Sequence, residues 1–75
     1  MQMADVVIHV DEAIDHNRRT QIADMVRTHV GVAAVAHHDE KPHLMNVKYD
    51  PAVVSARALL DAVRRQGVHA ELVGL

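Results

Sequence analysis

Seven of the 75 residues are histidine and none is cysteine. The histidines are His9, His16, His29, His37, His38, His43 and His69. Imidazole is the commonest protein metal ligand and the side chain that titrates nearest neutral pH, so this excess is the strongest chemical signal in the composition. Without thiolates, iron–sulfur clusters, disulfides and linear copper(I) sites are excluded. The remaining nitrogen and oxygen donors suit a divalent ion such as zinc, nickel, cobalt or copper(II), or an imidazole-bound haem.

Two groupings are local in sequence. Asp15 and His16 stand where a helix begins, with Asp11 just upstream, and the positive end of the helix favours a neutral, coordinating His16 beside a hard carboxylate oxygen. Their plainer reading is an N-cap followed by a solvated first-turn residue, and Arg18 one turn on would repel a cation. The run His37-His38-Asp39-Glu40-Lys41-Pro42-His43 is the second grouping. A four-residue loop Asp39–Pro42 would make His38 and His43 a cross-strand pair, although parity sets His43 with Met45 and Val47 at the edge of the core.

The elements that must position these groups follow from periodicity. Met45, Val47 and Tyr49 alternate with Asn46 and Lys48 in a strand that Asp50-Pro51 terminates. Ser55 caps a helix whose Ala56, Leu59, Leu60 and Val63 form one stripe and which Gly67 stops. Upstream, Val6–Val10 reads as a strand with Val6, Ile8 and Val10 inward. The segment from His16 to Gly31 reads as a helix with Ile22, Met25, Val26, His29 and Val30 on its buried side and Arg18, Arg19, Asp24 and Arg27 off it. Val32–His38 and Val68–Val73 complete the strands. The order β-α-β-β-α-β is the ferredoxin-like α+β arrangement, one domain over residues 1–75 with a four-stranded antiparallel sheet and both helices on one face.

That fold creates a third grouping. With the first strand between the third and fourth, His9 on the open face is expected beside His69 and Asn46, with Glu71 and His38 in reach to complete a site. The plainer reading is an ordinary wet sheet face.

Several function classes are excluded. One aromatic residue, Tyr49, and a net charge of −2 offer neither a base-stacking platform nor a phosphate-binding footprint. Met1-Gln2-Met3-Ala4-Asp5 has no basic or long apolar character, so no secretory or membrane segment is expected and the cytoplasm is the default location. The single serine, Ser55, is used as a cap, and neither a glycine-rich phosphate loop nor a zinc-hydrolase motif occurs. Acylphosphatases share the fold, but no arginine-bearing, glycine-containing loop lies between Val10 and Asp15. No enzymatic activity is expected.

Gly31-Val32, Val47-Lys48-Tyr49-Asp50-Pro51, the Ser55-capped helix and Gln66-Gly67-Val68 together give a chain that resembles the heavy-metal-associated (HMA) domain family. The resemblance implies the ferredoxin-like fold and a role in metal binding or transport. The family carries a CxxC motif in the loop before its first helix, which falls here on Asp15-His16-Asn17-Arg18. The expected function is a module that binds a divalent metal or haem through His9 and His69, with Asp15 and His16 as a rival site and His38 and His43 as further ligands. The alternative is a metal-free interaction domain that pairs with a second copy or another protein through Val7, Leu44, Lys48, His69 and Glu71.

Overall fold

A computed structural model describes residues 2–73. β1 (Ala4–Val10), α1 (His16–Arg27), β2 (Val32–His38), β3 (Lys41–Tyr49), α2 (Ala56–Arg64) and β4 (Ala70–Val73) follow one another. The antiparallel sheet has the order β2-β3-β1-β4, which is the ferredoxin-like arrangement read from the sequence.

β1 alternates as expected. Val6, Ile8 and Val10 are buried and Val7 and His9 are half-exposed, because a strand turns successive side chains to opposite faces. Met45, Val47 and Tyr49 join them from β3, and Ile22, Val26, Leu59, Leu60 and Val63 from the helices close the core on that side. The other sheet face is left open.

Both caps form. The Asp15 side chain accepts from the Arg18 amide at 2.8 Å and Ser55 Oγ from the Ala58 amide at 3.0 Å, each satisfying an amide that the first helical turn leaves without a partner. The α2 stripe is as read, with Ala62 added.

The α1 stripe is different. Its buried residues are Arg19, Ile22, Ala23 and Val26, while Met25 and Val30 are 43% and 80% exposed. The helix stops at Arg27, so Val30 belongs to the turn after it. The buried stripe also lies one residue round from the expected one, which takes in Arg19 and releases Met25.

Gly31 ends that turn at φ +98°, and its carbonyl accepts from the Asp50 amide at 2.8 Å. A Cβ there would lie 2.9 Å from both Val53 Cγ1 and Val54 Cγ1. Left-handed backbone and crowding act together, so Gly31→Ala is expected to cost roughly 2 kcal/mol, read as a lowered urea midpoint at unchanged slope.

The β2–β3 connection is tighter than the four-residue loop expected. β3 already begins at Lys41, leaving Asp39-Glu40 as a two-residue turn with Pro42 inside the strand. The register skips between His37 and His38: His37 faces Met45 and His38 faces Lys41. His38 and His43 are therefore not a cross-strand pair. β4 is likewise shorter than Val68–Val73 and begins at Ala70, which leaves His69 just outside it.

Candidate metal centre

The groups that converge sit where β1 ends and β4 begins. The register sets His9 opposite Glu71 and Val10 opposite Ala70, and the Asp11 amide donates to the His69 carbonyl at 2.9 Å. His9 Nδ1 lies 3.0 Å from Asp11 Oδ1 and 3.0 Å from Glu71 Oε1. Carboxylates only accept, so at neutral pH this nitrogen is the donor and one N–H is shared between two oxygens. One donor atom from each of His9, Asp11 and Glu71 falls within 4.8 Å of the others. A proton shared with the Glu71 carboxyl on the acid side, and then the hydrogen bond from His9, hold the Asp11 carboxyl below its ordinary value against the opposing effect of desolvation.

His43 buttresses this corner. Its Nδ1 donates to the Val10 carbonyl at 2.7 Å, and its ring stacks on that of His9 with centroids 5.5 Å apart and planes at 17°. The carbonyl bond fixes which His43 nitrogen carries hydrogen and leaves Nε2 free. His43 thus meets His9, not His38.

His69 does not meet His9 as expected, because the register offsets them by two residues and Glu71 takes the facing position. Instead, both oxygens of Glu12 accept from the His69 amide, at 2.8 and 3.0 Å, and Glu12 Oε2 accepts from His69 Nδ1 at 2.7 Å. This raises the His69 pKa and lowers that of Glu12, each through the hydrogen bond to the other. A raised imidazole pKa makes a stabilising contribution that is complete below about pH 6.5 and lost as pH rises through the folded value. The lowered Glu12 value makes one that is lost as pH falls through it, so the pair acts between the two. His69 is accordingly expected to titrate above the ordinary histidine value by NMR, and Glu12→Gln to bring it down.

The Asp15–His16 site resolves into a different network. Asp15 is spent on its cap, and His16 Nδ1 donates to Asp39 Oδ1 at 2.9 Å. Asp39 also pairs with the Arg19 guanidinium, whose side chain is only 4% exposed. The Arg19 Nε–H points to His37 Nδ1 at 3.4 Å, which requires that nitrogen to be bare. Burial, then Arg19, lowers the His37 pKa, whereas the hydrogen bond from His16 lowers that of Asp39. A cation is already installed where Asp15 and His16 were expected to take one. His38 is exposed on β2, lining a shallow groove with Lys41 and Leu44.

No family model matches this sequence, and no curated protein matches it. Solved structures do. The chain is similar to oxidized MerP from Ralstonia metallidurans CH34, with a TM-score of 0.86 at 18% identity over 97% of this chain and 100% of that one. A copper binding domain from HMA7, a P-type ATPase, gives 0.83 at 14% identity over 93% of each chain. The CopZ metallochaperone gives 0.77 at 18% identity over 93% of this chain and all of that one.

The chain has the HMA-domain fold.

The HMA fold here carries no cysteine, so the donor set of a CxxC loop is missing and its place is taken by the Asp15 cap and the His16–Asp39–Arg19 network. Sequence reasoning missed Asp11 as the third member of the His9 group, although the step from His9 to Asp11 keeps both on one face if the strand geometry continues past Val10. It also missed Arg19, for which a charged residue one turn into an amphipathic helix gives no signal. Among the described residues, no helix is long and apolar enough to cross a membrane.

Proposed function

We propose that this chain is a divergent HMA-fold module that binds and carries a divalent transition-metal ion at His9, Asp11 and Glu71. The observation that carries the reading is the convergence of one imidazole nitrogen and two carboxylate oxygens within 4.8 Å at one end of β1. One nitrogen and two oxygens form a borderline-to-hard donor set, suited to zinc, cobalt, nickel or copper(II) and unsuited to copper(I). An ion there would replace the proton that His9 shares with its two acceptors. That proton moves to Nε2, so the ring binds as neutral imidazole, and binding weakens as the solution is acidified because protons compete for all three ligands.

The similar solved structures support the class of ligand, since their names describe copper binding and a metallochaperone, and this chain would keep the cargo class with nitrogen and oxygen in place of sulfur. Carriage, not catalysis, is the role, and a cysteine-free chain fits the reducing cytoplasm. Haem is the other metal ligand to test, through His9 or the free Nε2 of His43 as axial donor.

Isothermal titration with zinc, nickel, cobalt, copper(II) and haem tests this reading against a variant with all seven histidines replaced. One ion per chain, bound more weakly as pH falls and absent from the variant, is expected. Equal heats from the two proteins would remove the function.

A further inference from the structure

The open sheet face sorts its charges by strand. Inward Val6, Ile8, Met45 and Val47 leave Asp5, Val7 and His9 of β1 and Leu44, Asn46 and Lys48 of β3 outward. The β2–β3 half therefore shows His38, Lys41 and Lys48, and the β1–β4 half shows Asp5, Glu71 and, at its tip, Asp11. Small or apolar residues fill much of the rest of the face, including Val7 and Leu44 on the central strands and Ala36 and Val73 on the two edge strands, the last 43% exposed.

The register gives this sorting a consequence. Asp5 is level with Lys48, Val7 with Asn46 and Val73, and His9 with Leu44 and Glu71. Ala36 is level with Asn46, and His38 lies one step beyond His37, which is level with Met45 and Ile8. Turn a second copy through half a revolution about an axis in the face and parallel to the strands. Its β2 then falls on β4 and its β3 on β1, with no shift along the strands. Lys48 of the second copy meets Asp5, His38 meets Glu71, and Ala36 meets Val73, in both directions at once. An axis across the strands would instead lay the acidic half on itself.

We infer that two copies of this chain associate face to face through the open sheet, about a two-fold axis running along the strands. The interface is isologous, so every contact occurs twice. Four strands at about 4.8 Å spacing make a small face, of the size of weak, reversible interfaces. The contact needs no metal. The His9–Asp11–Glu71 group lies at its rim, with His38 of the second copy as the facing imidazole.

Sedimentation equilibrium in the presence of a chelator, with Asp5→Lys and Lys48→Glu, tests the arrangement. Wild-type chain is expected to dimerise and to dissociate in high salt. Each single variant sets like charges together twice, raising the dissociation constant by at least about tenfold. An equimolar mixture restores both pairs and with them the dimer. The like-charged neighbours within each variant chain persist in the mixture, so that recovery is intermolecular. Circular dichroism checks that the variants fold, and Glu71→Lys with His38→Glu makes the same exchange at the other end of the sheet if they do not. A wild-type chain that stays monomeric at submillimolar concentration overturns the inference, as do single variants that dimerise like wild type or a mixture that stays monomeric.

Discussion

Zinc is expected to bind the His9→Ala variant on the order of 100-fold more weakly than the wild-type chain, because the nitrogen donor and the link between two carboxylates go together. Glu71→Gln keeps the shape of the side chain and removes its charge, and should cost about tenfold. Two controls give the result its meaning. His29 lies half-buried behind α1 and His16 is committed to Asp39, so His29→Ala and His16→Ala should leave zinc affinity within about a factor of two. Calorimetry at neutral pH and again at acid pH reads both the affinity and its loss as protons compete for the three ligands. Loss of binding on replacing His16, with His9→Ala unchanged, would move the site to the helix start.

The second large effect is on stability and arises at Arg19. This side chain is 4% exposed while its partner Asp39 is 72% exposed, so the pair is buried at one end and wet at the other. Arg19→Ala removes both the guanidinium and the packed aliphatic stem, and is expected to cost about 2 to 3 kcal/mol. Arg19→Met refills the stem without a charge that needs a partner and should fall within about 1 kcal/mol of wild type. Asp39→Ala leaves the cation in place but close enough to water for screening, so a smaller loss than that of Arg19→Ala is expected. Urea unfolding of the three variants decides the order. If methionine at position 19 were as damaging as alanine, the charge and not the packing would be what position 19 requires.

What could be read from the sequence divides along a physical line. The alternation of Val6, Ile8 and Val10, the Ser55 cap and the Leu59–Leu60–Val63 stripe are local, so spacing alone revealed them. Arg19 could not be read, because its burial depends on Asp39 in a turn 20 residues away. The outward direction of His9 was legible and Glu71 stood within its expected reach, but which residue of β4 lies directly opposite was not legible. Glu71 is 62 residues distant, and a shift of two residues along β4 exchanges it for His69. The hairpin failed similarly, since a register skip at His37–His38 leaves no mark in composition and separates two histidines that simple counting would pair.

The central claim is tested most directly by locating the ion. Crystals grown with zinc and measured at its absorption edge should show one anomalous peak, with the His9 nitrogen at about 2.0–2.1 Å and oxygens of Asp11 and Glu71 at about 2.0–2.2 Å. A peak held by other residues, or zinc-saturated protein with no peak between these three side chains, would contradict it.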